Sequence, residues 1–307
     1  MACYNVAQRQ SFKQHQKIIS AKESFDLNND LRFLLLGSGD SRHQLVTEAE
    51  RLRPIIEKFG KVVFEDLMYE KKIEVDADIA IVIGGDGSIL RSAKQMGDSQ
   101  IPVLGVNFGK LGFLADILPE NVEQALQAIA SKEYRIVEHL MIRCRVFEND
   151  QLLCEELGLN EVAILGGPPY SIHYIDLYVD SEMATTYSCD GLIISTPVGS
   201  TAHNLSAGGP ILRKNLQAFV ISPISPHTLT VRPVVDTADR KLEVIVQNPS
   251  VSTSVVLDGQ PLCRLTENHR VCVQKAESQF QMVEVFGQTY YRTLRKKLGW
   301  GGGITKK

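Results

Sequence analysis

Residues 79 to 88 read Ile79-Ala80-Ile81-Val82-Ile83-Gly84-Gly85-Asp86-Gly87-Ser88. The first five are apolar and rich in β-branched side chains, the texture of a strand buried in a parallel sheet. The glycines that follow let the backbone turn sharply and approach a ligand closely. Ser88-Ile89-Leu90-Arg91-Ser92-Ala93-Lys94 continue as a helix, whose first N–H groups have no partner inside it. An anion at this strand-to-helix junction meets donors, so Gly84, Gly85, Gly87 and Ser88 read as a phosphate site. A tight turn with no ligand is the alternative, but it needs one glycine and not three around a carboxylate.

Asp86 is the surplus element of that junction. A carboxylate beside bound phosphates is repelled unless it holds Mg²⁺ or meets an acceptor hydroxyl, the two tasks acids perform in phosphoryl transfer. Arg91, one turn into the helix, either adds positive charge or lies on a solvated face.

Outward from this junction, apolar strands alternate with helical patterns. Strands are expected at Leu31 to Leu36, Lys61 to Glu65 and Pro102 to Val106, with helices at Thr47 to Lys58, where Pro54 introduces a kink, and at Glu120 to Ala130. The pattern is that of an α/β domain with a parallel sheet and crossover helices, over residues 31–135. From Ile136 to 295 the texture changes to short strands such as Ile172 to Val179, Lys241 to Val246, Thr253 to Leu257 and Arg270 to Val273, a β-rich domain. Residues 1–30 form a polar N-terminal extension. Residues 296–307, with Gly301-Gly302-Gly303 between lysines, read as a frayed tail beside Trp300.

The chain has 307 residues, 44% of them hydrophobic, enough for two globular domains. A net charge of -3 leaves no electrostatic footprint for nucleic acid or an anionic membrane, so phosphate binding is local. The six cysteines form no CxxC pair and read as reduced structural thiols. With no apolar segment of a signal peptide or a membrane span, cytoplasmic residence is the expectation.

A second constellation runs from Asp190 to Pro210, dense in glycine and hydroxyl residues: Gly199-Ser200-Thr201-Ala202-His203-Asn204-Leu205-Ser206-Ala207-Gly208-Gly209. Such residues suit close backbone approach and many neutral hydrogen bonds to a sugar or base; a plain loop is the alternative. Here a resemblance becomes specific. Together with Asn107-Phe108-Gly109-Lys110-Leu111-Gly112-Phe113-Leu114, Asn160-Glu161, Pro226-His227-Thr228-Leu229 and Asp258-Gly259-Gln260, the chain resembles the NAD kinases from about residue 31 to 300.

The resemblance implies a phosphotransferase that moves the γ-phosphoryl of ATP, with Mg²⁺, to the 2′-hydroxyl of the adenosine ribose of NAD, giving NADP. It implies NAD and ATP as partners, and a homo-oligomer. Carried over by motif, Asp86 is the proton acceptor and Gly87 a substrate contact. Asn160 and Glu161 bind NAD, and Asp190, Thr201, Ala202, Leu205 and Ser206 line the same site, with Gln260 contributing. The chain departs from the family at His203, in place of Tyr, at Asn204, in place of Ser, and at Val198, in place of Thr. Ser188 stands where a basic residue is common. All of His203, Asn204 and Ser188 fall within the expected substrate site.

Two rivals remain on the residues alone. Kinases of lipids or sugars share the glycine-acid motif, though a lipid kinase calls for a membrane-facing stretch that this chain does not offer. A non-catalytic dinucleotide sensor has no use for Asp86. Gly37-Ser38-Gly39 lacks the third glycine of a dinucleotide fingerprint.

Overall fold

The structure, a computed structural model, describes residues 31–37, 42–108, 112–168, 172–285 and 290–299. The N-terminal extension, Ser38 and Gly39, Gly109 to Leu111, and the tail from Trp300 lie outside the described residues.

The chain opens with β1 (Leu31–Gly37), α1 (Arg42–Ile56), β2 (Gly60–Asp66), β3 (Ile79–Gly84), α2 (Asp86–Met96), β4 (Val103–Asn107) and α3 (Val122–Ala130). It continues through β5 (Tyr134–Glu148), β6 (Gln151–Gly158), β7 (Glu161–Leu165), β8 (His173–Val179), β9 (Glu182–Cys189) and β10 (Gly191–Ser195). Then come α4 (His203–Ser206), β11 (Ala218–Ile224), β12 (Val234–Thr237), β13 (Leu242–Gln247), β14 (Ser254–Leu257), β15 (Gln260–Arg264), β16 (His269–Val285) and α5 (Tyr290–Leu298).

The first four strands are parallel neighbours in the order β2-β1-β3-β4. Every residue of β3 is buried, as its uninterrupted apolar run requires of a strand covered on both faces. Phe33 and Leu35 face the layer of α1 and α3, with Leu52, Ile56, Leu126 and Ile129. Leu34 and Leu36 face the opposite layer, with Ile89 and Ala93 of α2. This two-sided alternation is why no polar residue interrupts the core of β1.

β1 leads through α1 to β2 on one side, and the chain then returns to place β3 on the other side of β1. The strand order reverses between β1 and β3, and at such a point the carboxyl ends of the strands splay around a crevice. Gly84 ends β3 there, so the glycine-acid junction lies at the switch point.

Ten strands share the first sheet, because β16 pairs in parallel with β4 at Met282 and Val103, while also pairing with β5 and β13. A register shift between Lys275 and Gln279 divides its 17 residues. The earlier half packs in the β-rich part and the later half in the α/β part, a bend that a bulge permits. The second sheet has six strands in the order β12-β11-β10-β7-β14-β15. It stacks on the first through Val162, Ile164, Leu192, Ile194, Phe219 and Val255, which meet Ile142, Ile175, Val244 and Val271.

Two sequence expectations change. Gly191 to Ser195, counted with a hydroxyl-rich loop, form a fully buried strand in the middle of the second sheet. Lys296 and Lys297, assigned to a frayed tail, lie in the last turn of α5. That helix is held by Leu294, which is buried, by the Tyr290 hydroxyl donating to Leu212 O at 2.9 Å, and by Arg213 over the rings of Tyr290 and Tyr291.

Phe280, on the later half of β16, is fully buried in the cluster that holds Leu34 and Ile89. Phe280→Ala is expected to cost about 3–5 kcal/mol of unfolding free energy in urea titration. A cost below about 1 kcal/mol would show that β16 does not tie this layer together.

Candidate active site

Gly84 has φ 143°, a backbone conformation open to glycine alone, and Gly85 precedes the first helical residue, Asp86. A side chain added at Gly85 or Gly87 would meet nothing within 4 Å, so the backbone is open on that side. With the unshared N–H groups of the first turn of α2, Gly84, Gly85 and Gly87 have what a phosphate requires. Ser88 is different: its N–H donates to Gly85 O at 3.0 Å and the residue is buried. It lies in the first turn of α2 with its backbone N–H already used. Arg91 lies exposed one turn further on.

The Asp86 carboxylate faces the segment from Gly112 to Ala115. Oδ2 accepts the Phe113 N–H at 2.7 Å, and Oδ1 accepts those of Leu114 at 2.8 Å and Ala115 at 3.2 Å. A carboxylate offers about four acceptor directions, so one on Oδ2 remains for a hydroxyl. Gly112 is obligatory here, since a Cβ would stand 2.1 Å from Asp86 Oδ1. Sequence reasoning identified Asp86 and missed this anchoring role, whose partners lie more than 25 residues away.

In the same segment, the Lys214 ammonium donates to Phe113 O. Burial pulls the Lys214 pKa down, while the negative charges of Asp86, Asp116 and Glu284 oppose that pull. Burial raises Asp116 to about 6, with Lys214 acting against it. His139 is lowered to about 4 by burial and by Lys214, and its Nδ1 lies 3.3 Å from Lys214 O. Asn107, opposite Gly84 in the β3–β4 register, is 1% exposed, and neither its Oδ1 nor its Nδ2 has a partner among the described residues. An amide so placed calls for a water or a ligand group.

A second aspartate builds the other half of the site. Asp258 Oδ2 accepts the Leu159 N–H at 2.7 Å, and Oδ1 accepts those of Asn160 and Glu161 at 2.7 and 3.0 Å. Asp258 and Gly259 form the two-residue turn between β14 and β15, with φ 48° and 76°, a geometry that Asp-Gly adopts readily. Asn160 O accepts the Thr196 N–H at 2.8 Å, and Gly199 approaches it so closely that a Cβ would lie 2.1 Å from that oxygen.

Glu161 is buried, its Oε2 has no partner among the described residues, and burial followed by the charge of Asp258 raises its pKa to about 8. The His203 backbone N–H donates to it and works in the opposite direction. Val198 belongs to the same apolar cluster as Ile89 and Ala93, which seats this loop on α2. Asn160, Glu161 and the Gly199–His203 stretch therefore converge beside the helix that Asp86 begins.

Within the hydroxyl-rich stretch the residues divide. Thr196, Ser200 and Asn204 are fully buried. Asn204 Nδ2 donates to Ser200 O and Pro210 O, both at 3.1 Å, and Oδ1 accepts from the Ser222 hydroxyl at 2.7 Å. With its amide spent inside the loop, Asn204 is a structural brace and leaves the substrate-binding set. Thr201 and Ala202 are half-buried, as is Leu205, while His203 and Ser206 are exposed. Gln260 is exposed at the start of β15.

Ser188 and Asp190 stand at the other end of β10 from Glu161. They precede β10, whose far end at Ser195 pairs with Glu161, so the length of the strand, roughly 15 Å, lies between. Asp190 is exposed with His227 Nε2 at 3.5 Å, and the His227 N–H donates to Ser188 O at 2.9 Å. Among the described residues no three His, Cys, Asp or Glu side chains gather as a metal cage. Asp86 is already committed to backbone amides. A Mg²⁺ would therefore be held by polyphosphate oxygens and water, as this ion commonly is.

Comparison with known proteins finds relatives of both halves of the chain. Residues 12–134 match the model of the ATP-NAD kinase N-terminal domain, and 159–285 that of the ATP-NAD kinase C-terminal domain. The NAD kinase of Rhodopirellula baltica is 52% identical over 275 residues, 89% of this chain and 88% of that protein. That of Geotalea daltonii is 38% identical over 229 residues, 75% of this chain and 81% of its own length. Among solved structures, a yeast NADH kinase complexed with NADH shares the fold with a TM-score of 0.77 at 22% identity, covering 91% of each chain. An NAD kinase from Archaeoglobus fulgidus in complex with ATP aligns with a TM-score of 0.66 at 27% identity, covering 88% of this chain and 98% of that one.

Two outcomes test the geometry. Gly112→Ala is expected to lower the unfolding free energy by roughly 1–3 kcal/mol, measured in urea, because the methyl group displaces Asp86 from its amides. Glu161, with a folded pKa near 8 against an ordinary 4.5, contributes stability that is complete below pH 4.5 and is lost as pH rises toward 8. Glu161→Gln is therefore expected to gain stability relative to the parent between pH 5 and pH 8, and parallel urea midpoints across that range would refute the burial of this carboxyl.

Proposed function

The chain belongs to the ATP-NAD kinase family, and from that premise we propose how its residues divide the work of the reaction. It is a phosphotransferase: it carries the γ-phosphoryl of ATP to the 2′-hydroxyl of the adenosine ribose of NAD and releases NADP. The polyphosphate lies against Gly84, Gly85 and Gly87 at the start of α2, where open backbone and unshared N–H groups meet its charge. NAD lies against Asn160 and Glu161 and along Thr201, Ala202, His203, Leu205 and Ser206. Glu161, protonated at neutral pH, both accepts the His203 N–H and has a proton to donate to the dinucleotide.

The observation that carries this assignment is Asp86, which begins α2 at the switch point with its carboxylate fixed by three amides and one acceptor direction left. The ribose 2′-hydroxyl donates to that direction, which aims its oxygen at the γ-phosphorus. A carboxylate is too weak a base to remove that proton early. In a loose transition state little nucleophilic push is required, so Asp86 acts chiefly by orientation and receives the proton late. Mg²⁺, when bound on the polyphosphate, neutralises charge on the transferring group.

The proposal extends to cytoplasmic residence and homo-oligomeric assembly. Cys144, Cys154, Cys189, Cys263 and Cys272 are all free thiols, which suits a reducing compartment. Among the described residues no helix is long and apolar enough to cross a membrane. Exposed Leu229, Val234 and Val235 lie on and beside the edge strand β12, where a second chain could cover them.

Asp86→Asn is expected to bind NAD within about threefold of the parent by calorimetry and to lose turnover on the order of 10²-fold when NADP formation is followed with Mg²⁺, ATP and NAD. Unchanged turnover would remove Asp86 from the mechanism. NAD binding without any NADP formation by the parent enzyme would return the chain to the dinucleotide sensors.

A further inference from the structure

Lys214 has no part in the reaction as described so far. It follows the hydroxyl-rich loop and precedes β11, 101 residues away from its partner at Phe113. Its residue surface is half-buried, but the ammonium is enclosed and points at the backbone of the segment that Asp86 anchors. Buried lysines are costly unless their donors are used. Here the ammonium serves the Phe113 carbonyl, and Asp86, Asp116 and Glu284 supply the surrounding negative charge.

The contacts form a chain. Asp86 takes the N–H of Phe113, and Lys214 takes the carbonyl of the same residue. The peptide units on both sides of Phe113 are thus held, one by an acceptor and one by a cation. Gly112 N–H to Ala115 O at 3.2 Å closes the turn between them. Behind it lies a cavity of about 30 Å³ lined by Phe113, Asp116, His139, Lys214 and Glu284, room for one or two waters. His139 steadies the lysine backbone through Lys214 O, and Lys297 lies 5.5 Å from the centre of the Phe113 ring.

Resting on the assignment of Asp86 above, we propose that Lys214 is a positioning residue for phosphoryl transfer. It pulls the Phe113 carbonyl toward itself and so presents the Phe113, Leu114 and Ala115 N–H groups to Asp86 in the orientation that leaves one acceptor direction facing the ribose hydroxyl. Without the ammonium the carbonyl loses its partner inside the protein. The segment then shifts, the carboxylate turns with it, and the hydroxyl is aimed less well. Nucleotide binding is untouched, because Lys214 touches neither the glycine turn nor the Asn160–Glu161 cradle.

The test is steady-state NADP formation by the full-length Lys214→Met and Lys214→Gln enzymes, with Asp86→Asn and Gly112→Ala measured alongside. Misaiming of this kind is expected to lower kcat about 10–100-fold in Lys214→Met, with KM for NAD and for ATP within about threefold of the parent. Lys214→Gln, which keeps an N–H donor for the Phe113 carbonyl, is expected to recover part of that loss. If Lys214 acts through the Gly112–Ala115 segment, the double variant Lys214→Met/Gly112→Ala is no slower than the slower single variant.

A Lys214→Met enzyme with kcat within twofold of the parent overturns the proposal, as does a loss expressed in KM. Independent, multiplicative losses in the double variant also overturn it. Should Lys214→Met fail to fold by circular dichroism, the same kcat-against-KM split is read on Lys214→Gln. Full turnover by Asp86→Asn would sink the assignment of Asp86 itself, an outcome separate from any result at position 214.

Discussion

Irregular backbone beside a buried core must find acceptors for its N–H groups, and in this protein two aspartates meet that demand in the same way. Asp86 collects the N–H groups of three successive residues at Phe113–Ala115, and Asp258 collects those of Leu159–Glu161. Each carboxylate fixes a segment that no helix or strand could hold in that shape. Both segments border the proposed nucleotide cradle, so the geometry of the site depends on charged acceptors placed in turns. A charge-assisted hydrogen bond is roughly twice as strong as a neutral one, which suits segments that must keep their shape without secondary structure.

The same economy explains the position of the site. A parallel sheet leaves a crevice where its strand order reverses, and that reversal falls between β1 and β3. The glycines after β3 then expose backbone N–H groups where an anion can reach them. β16 carries this α/β layer into the β-rich part within one strand, so the two parts share a sheet and are not joined by a linker. The apolar cluster that joins Ile89 and Ala93 of α2 to Leu159 and Val198 closes the remaining distance. Asp86 at the head of α2 and Asn160–Glu161 at the start of β7 are thereby parts of one packed unit.

Burial has chemical consequences at three carboxyls of the site. Glu161 is raised to about 8 and Asp116 to about 6, in each case by burial first. Asp258, also pushed upward by burial, is drawn back by the three amides it caps. The amides around Asp258 are its own partners, whereas Glu161 keeps an oxygen with no partner among the described residues, and that difference separates a structural acid from one available to a ligand.

Local pattern alone determined the parallel strands, the glycine-acid junction and the helix after it, because alternation, β-branching and glycine act within a few residues of each other. It also marked Asn160, Glu161 and Thr201 to Ser206 as a group. It did not reveal β5, although Ile142-Arg143-Cys144-Arg145-Val146 alternates, because the arginines that break the apolar run find Glu155 and Asp98 only in the folded chain. Nor did it reveal β11, where Pro223 argues against a strand. Only the tertiary structure decided that Asn204 braces its loop, that Ser188 and Asp190 stand a strand's length from Glu161, and that Asp86 and Lys214 both hold Phe113. Those relations depend on partners tens of residues apart, and a hydrogen bond between such partners is set by where packing brings the backbone, which no short window of sequence contains.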